Sequence, residues 1–502
     1  MRLSPTSDLW WKNAIVYCLD VETFRGDVMG LIDRIDHVAG LGATCLWLMP
    51  LYPSPNRDDG YDIADYLAVD PRLGDLGDVA EAIRHANDRG LRVLVDLVVN
   101  HTSDEHPWFR AARADRASRY RAYYVWSDDP ESEAGTTPDN WTWDEEAGQH
   151  YLHRFQPFQP DLDITNPAVR AEIAKIVGFW LALGVSGFRM DAVPFLCEEV
   201  GTNEAGGDEG RRWLHSLREY ATRRRGDAML MGEVNVDLDQ IESYFEDHGE
   251  ALHLQLGFLL NQRLWLSLAR GRAAPLEDLI RRLPEPPHDS GWATFLRNHD
   301  ELTLDKLSDA EREDVLAAFA PHEDMQIYGG RGIRRRAASM LGGDGPRLRM
   351  AWSLTLSLPG SPVLLYGDEV GLEEDLSREG RMSVRVPMDW ARVAEQRRSP
   401  DSLLAFITRL LHRRRETPEL GWGHSTLIEN EPPALFARRA EWQGSTVVTV
   451  HNLSGEPVQA ELDLGADVDG ADDLLELREH RVRGGRLSVE LGPYGYLWLR
   501  MA

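Results

Sequence analysis

The chain has 502 residues, 42% hydrophobic and 9% aromatic, which supports a large buried core and excludes an intrinsically disordered protein. It carries 55 Lys and Arg against 83 Asp and Glu, a formal net charge of −28, which argues against nucleic acid or an anionic membrane as partner. The acidity is spread along the chain and reads as a solvated surface.

Only three of the cations are lysines, Lys12, Lys175 and Lys306. The three cysteines, Cys18, Cys45 and Cys197, are too sparse and odd in number for a disulfide framework. Met1–Asp8 is polar with no apolar leader after it, and no run reaches membrane-spanning length, so a cytoplasmic location is expected.

The first half alternates strand-like and helix-like segments. Ile15–Leu19 reads as a strand, Val28–Leu41 as one amphipathic helix ending at Gly42, and Thr44–Leu48 as a second strand. A Pro-rich loop, Pro50 to Asp59, leads into Gly60-Tyr61-Asp62, and a helix near Asp78–Arg89 precedes the strand Leu91–Val99. From Thr102 to about Asp163 the rhythm stops in a Trp-, Tyr- and Pro-rich stretch, expected to form an inserted subdomain. It resumes with a helix at Pro167–Leu183 and strands at Val185–Met190, Ala228–Gly232, Leu252–Leu256, Trp292–Leu296 and Pro362–Tyr366. About eight strand–helix units close a (β/α)8 TIM barrel.

The expected domains are therefore residues 1–101 and 165–416 for the α/β barrel, 102–164 for the insertion, and 417–502 for an antiparallel C-terminal β-sandwich. Residues 305–343 read as a helical, charged excursion ending in the cluster Arg331–Arg336, most simply a solvated or salt-bridged face.

Four barrel strands end on groups that are costly to bury without partners. Asp96-Leu97-Val98-Val99-Asn100-His101 closes the third strand on a carboxylate, an amide and an imidazole. Gly187-Phe188-Arg189-Met190-Asp191 sets Arg189 and Asp191 on one side of an extended chain, where the cation should hold Asp191 ionised and lower its pKa. Met231-Gly232-Glu233 and Arg297-Asn298-His299-Asp300-Glu301 end two more strands. A lone strand-end acid is usually a helix cap or an ion-pair partner. Several such ends around one barrel mouth read as an active site with the paired carboxylates of retaining glycoside hydrolysis, which must face each other about 5 Å apart.

These stretches, with Gln159-Pro160-Asp161-Leu162-Asp163, resemble the signature regions of the α-amylase superfamily of glycoside hydrolases, in order from about Trp10 to Trp390. Within it, Met49–Tyr66 and Arg297–Leu304 are similar to the corresponding segments of trehalose synthases. The resemblance implies Asp191 as nucleophile, Glu233 as general acid/base and Asp300 as the acid that binds the hydroxyls beside the reacting carbon. It further implies that Arg189 orients Asp191, that His101 and His299 hydrogen-bond the glucose, and that Tyr61 stacks under it. Phe155 would line the same site. Asp58 and Arg385 would grip the far hydroxyl and close the blind end, while Asp96 and Asn100 would support the floor.

Family members carry a calcium loop after the first strand; Val21–Gly30 lacks most of it, and Pro194-Phe195 stands where a Lys-His pair would be, so no metal or other cofactor is expected. Val234–Asp237 and His253–Trp265 also differ from trehalose synthases, on the acceptor side of the site. The implied function is a retaining α-glucosidase or transglucosylase acting on small α-linked di- or oligosaccharides. Isomerisation of maltose and trehalose is the alternative, and a catalytically silent scaffold the remote one. The terminal domain and the excursion are compatible with a homodimer.

Overall fold

The computed structural model describes residues 9–133, 136–197, 208–245, 249–429 and 432–501. Eight parallel strands form a closed barrel: β1 (Val16–Leu19), β2 (Cys45–Leu48), β3 (Arg92–Leu97), β4 (Gly187–Met190), β5 (Met229–Gly232), β6 (Leu254–Leu256), β7 (Gly291–Phe295) and β8 (Ser361–Leu365). Each strand pairs with its sequence neighbours, and β8 returns to β1 with Val16 opposite Val363. Helices bury the outer face of every strand and the side chains packed inside the barrel bury the inner one, which is why these segments read as largely apolar runs.

The register fixes the floor of the site. Asp96 on β3 is the direct partner of Arg189 on β4, and Arg189 is in turn level with Met231 on β5. Strand β4 can lie this close to β5 only because it begins on a glycine: Gly187 has φ +151°, and a methyl group there would stand 2.0 Å from the carbonyl oxygen of Met229. The helix Pro167–Leu183 that delivers the chain into β4 is capped by Asn166, whose side chain accepts from Ala168 N–H at 2.9 Å, and ends on left-handed Gly184.

Two local expectations fail. The single helix over Val28–Leu41 is instead the last two of three short helices, Val21–Arg25, Val28–Ile32 and Ile35–Leu41. Asp20 and Asp27 each turn a side-chain oxygen onto the first backbone N–H groups, so the chain restarts a helix at each cap. The excursion is only partly helical. The helix Asp309–Phe319 is flanked by a small antiparallel sheet, Leu302–Thr303 before it pairing with Gly332–Ile333 after it, and Gln326–Ile327 on the far side. The Arg cluster behind it is bonded: Arg335 pairs with Glu374 at 2.8 Å, and fully buried Arg336 donates to the carbonyls of Tyr366 and Val384. These bonds tie the segment around 374–384 to the barrel.

Following β3, Trp126–Ser127, Trp141–Asp144 and Gln149–Leu152 form a three-stranded antiparallel sheet at the C-terminal end of the barrel. At the C-terminus a six-stranded antiparallel sheet faces the strand pair Val458–Asp463 and Arg486–Leu491 across its own apolar core. This unit is fastened to the barrel by Trp498 Nε1, which donates to Ser353 Oγ at 3.0 Å, and by Arg438, which donates to the Ser357 carbonyl. Among the described residues no helix is long and apolar enough to cross a membrane.

Candidate active site

One guanidinium organises the floor. Arg189, 1% exposed, donates through Nη1 to Asp191 Oδ1 at 2.5 Å and to Asp96 Oδ1 at 3.3 Å, and its Nη2 stands 2.8 Å from Glu233 Oε2 as an ion pair. Asp191 directly follows β4 and Glu233 directly follows β5, so neighbouring strands present both acids at the same level. A second tie joins them: the N–H of Ala192, at φ +50°, donates to Glu233 Oε2 at 3.0 Å. The side chains of Asp191 and Glu233 keep 11% and 24% exposure, whereas Asp96 has none, so the first two face the open end and Asp96 lies beneath them. Asp96 is fully partnered, by Trp47 Nε1 at 3.3 Å, the Tyr61 hydroxyl at 3.1 Å and Arg189.

Asp300 belongs to a second group. Its Oδ2 accepts from His299 Nε2 at 3.0 Å, and its Oδ1 accepts from Arg381 Nη1 at 2.9 Å and Arg385 Nη2 at 2.8 Å. Asp58 and Arg385, expected as the pair closing the blind end, both stand here but do not bond each other. Arg385 takes Asp59 at 2.5 Å, while Asp58 takes Arg381 at 2.5 Å and Gln159 Nε2 at 2.9 Å. Asp59 has φ +53°, a left-handed turn that swings its carboxylate rather than that of Asp58 onto Arg385. Tyr61 lies among them, its hydroxyl 2.8 Å from His299 Nε2 and its ring 5.5 and 5.6 Å from the Arg381 and Arg385 guanidiniums.

Just beyond the end of β3, His101 is 2% exposed, with Nε2 on the Tyr61 carbonyl at 3.0 Å and Nδ1 facing Asn100 Nδ2 at 3.4 Å, so both ring nitrogens already have protein partners. Asn100 also donates to Asp161 Oδ1 at 3.2 Å, tying the end of β3 to the end of the inserted segment. Phe155 stands over His101 at 5.3 Å and meets Phe195 edge-on at 5.5 Å. A continuous set of contacts at the C-terminal end of the barrel thus joins the residues picked from the sequence. Arg381 and Asp59 were missed. Both lie in loops whose charges look solvated until the fold brings them together, and Asp58 and Arg381 are 323 positions apart.

The electrostatics divide the carboxyls into roles. Burial pushes Glu233 up to about 7, with the charges of Asp191 and Asp300 adding and Arg189 opposing. Asp191 is not lowered as the sequence suggested: burial beside Asp96 and Asp300 outweighs its bond to Arg189 and raises it. For Asp300 burial is also the largest influence, but His299, Arg381 and Arg385 together overcome it and hold this acid well below the usual range. Burial lowers His101 and His299 to about 4, so both rings are neutral at pH 7. The site therefore combines an ionised acid, a carboxyl that keeps a proton near neutrality, and a second acid beside it, which suits general acid/base work with covalent catalysis. Among the described residues no cluster of three or more His, Cys, Asp or Glu is arranged to hold a metal ion.

Comparison with known proteins agrees with this architecture. The α-amylase catalytic-domain family matches residues 7–320, and a sucrose hydrolase-like C-terminal domain matches residues 444–500. The chain is 36% identical to a trehalose synthase/amylase of Mycobacterium tuberculosis over 92% of this chain and 84% of that protein. It is 35% identical to a trehalose synthase of Pimelobacter sp. over 91% and 89%. Among solved structures, an α-glucosyl transfer enzyme superimposes with a TM-score of 0.79 at 26% identity, covering 98% of this chain and 99% of that one. The chain belongs to the α-amylase family and is a glycoside-active enzyme of trehalose-synthase-like type.

Proposed function

We propose that this enzyme acts on small α-glucosides with retention, through a covalent β-glucosyl ester on Asp191. The observation that carries the reading is the guanidinium shared by Asp191 and Glu233, with Nη1 on one acid and Nη2 on the other. A fork of fixed size keeps the two carboxyls across one narrow gap. Retaining enzymes use a separation of about 5–5.5 Å, closer than the gap in which an inverting enzyme seats a water.

In the first step Asp191 attacks the anomeric carbon while Glu233 gives its proton to the glycosidic oxygen, and the C1–O bond to the leaving sugar breaks. In the second, Glu233 as carboxylate takes the proton of a water or sugar hydroxyl that attacks C1, and Asp191 departs. Asp300, held ionised by two arginines, is suited to bind the hydroxyls beside C1. The five-membered ionic group of Asp58, Asp59, Asp300, Arg381 and Arg385 favours a closed pocket over a through-running cleft, hence a terminal glucosyl unit. Isomerisation is the second reading, favoured by the trehalose synthases among the relatives.

The test is a panel of maltose, sucrose and trehalose with separation of the products and determination of anomeric configuration. Release or transfer of α-glucosyl groups is expected, and trehalose from maltose with little free glucose would select isomerisation. Inverted product, or no turnover of any α-glucoside, would end the proposal.

A further inference from the structure

Transfer or isomerisation needs a second sugar held beside the glucosyl group. Tyr328 stands at the tip of the hairpin joining Gln326–Ile327 to Gly332–Ile333. Its φ is +53°, followed by +63° at Gly329 and +82° at Gly330. Glycine adopts this left-handed backbone freely, but a bulky residue is an outlier there, and such strain persists where something else requires the side chain. Tyr328 is also 55% exposed, so burial in the core is not what requires it.

The hairpin rests against the active site. Its second strand pairs with Leu302–Thr303, immediately after Asp300 and Glu301. A methyl group on Gly332 would stand 2.8 Å from Glu301 Cγ, and one on Gly380, the neighbour of Arg381, would stand 4.0 Å from Ile327 Cδ1. The phenol is raised above its ordinary value, first by partial withdrawal from water and then by the charges of Glu301, Asp300 and Asp58, against Arg381. The hairpin that carries the residue thus stands between the Asp300–Glu301 strand end and the segment of Arg381. Phe155 and Phe195, 42% and 36% exposed, stand on the His101 side.

We infer that Tyr328 is an acceptor-side binding residue, whose ring covers the apolar face of the leaving or incoming sugar across from Phe155 and Phe195. An aromatic ring with a polar tip suits a sugar, which offers C–H groups on one face and hydroxyls at its edge. Held there, the sugar's hydroxyl attacks C1 of the glucosyl ester, its proton passes to Glu233, and the bond from C1 to Asp191 breaks. The inference rests on the retaining reading above and adds the residue that decides between water and sugar as acceptor.

The experiment uses α-glucosyl fluoride as donor, whose departing fluoride needs no sugar site, and titrates glucose as acceptor. Disaccharide formed per fluoride released gives the partition independently of the overall rate. Tyr328→Ala is expected to raise the glucose concentration for half-maximal transfer by about tenfold, with Tyr328→Phe within about threefold of the unsubstituted enzyme. Tyr328→Gly relieves the backbone, so it should lose transfer while keeping or raising Tm.

Transfer by Tyr328→Ala unchanged within twofold would overturn the inference. So would a fall in Tm for Tyr328→Gly with the partition intact, or the absence of any disaccharide from the unsubstituted enzyme at saturating glucose. If that enzyme released no fluoride at all, the retaining reading would fall first and this inference with it.

Discussion

The backbone N–H of Ala192 donates to Glu233 Oε2 at 3.0 Å, so the residue after Asp191 holds Glu233 in place. That bond and Arg189 favour the carboxylate, yet burial prevails and lifts Glu233 from an ordinary 4.5 to about 7. The folded protein thus holds this proton more tightly than the unfolded chain. Its stabilising share is complete below about pH 4.5 and is lost as pH rises through about 7. Glu233→Gln is neutral at every pH, so relative to the natural enzyme it should gain stability at pH 8, by at most about 3 kcal/mol, and show no such gain at pH 4. Turnover should fall by about 10²- to 10⁴-fold. In the unsubstituted enzyme kcat/KM should decline above about pH 7 as the first-step proton is lost. Thermal unfolding at the two pH values checks the first statement; equal shifts at both would contradict it.

Arg189 leaves no slack. It serves Asp96, Asp191 and Glu233 at once, and its ring-side neighbour Trp47 lies 5.4 Å from the guanidinium. Arg189→Met would leave three buried or half-buried carboxyls to repel one another, and losing one partner of a buried ion pair costs about 3–5 kcal/mol. The expected outcome is a marked loss of Tm at pH 8 that is partly recovered at pH 5, where protonation relieves the repulsion. A Tm deficit independent of pH would show that the residue acts through packing alone.

Much of this was legible in the sequence, for a physical reason. Asp96, Asp191, Glu233 and Asp300 interrupt or close apolar barrel strands, and a charge in such a position needs partners. The eight strands were readable because both faces are buried, so apolar residues make up most of each one. What escaped was whatever depends on loops meeting across the barrel. Arg381 follows Ser377-Arg378-Glu379-Gly380 and looks like one more solvated cation, yet it bonds Asp58 and Asp300. Asp59 looked redundant beside Asp58 until its left-handed φ turned it to Arg385. The hairpin around Gly329-Gly330 carried a turn signal that the charged surroundings masked.

Arg381 yields the sharpest test of the proposed closed pocket. It reaches Asp58 through Nη2 and Asp300 Oδ1 through Nη1 at 2.9 Å, joining an acid from the loop after β2 to one from the end of β7. A lysine supplies the charge but a single nitrogen, and cannot span both acids as a planar fork does. Arg381→Lys should therefore lower kcat/KM for a small α-glucoside by about ten- to a hundredfold, from a loss of about 1.5–3 kcal/mol in charged hydrogen bonding. Because Asp58 and Arg381 act as a pair, Asp58→Asn combined with Arg381→Lys should cost little more than the worse single change. Initial-rate kinetics on the four enzymes of this cycle measure the coupling. Losses that simply add would mean the two residues reach the substrate independently, and the closed pocket end would not be their joint work.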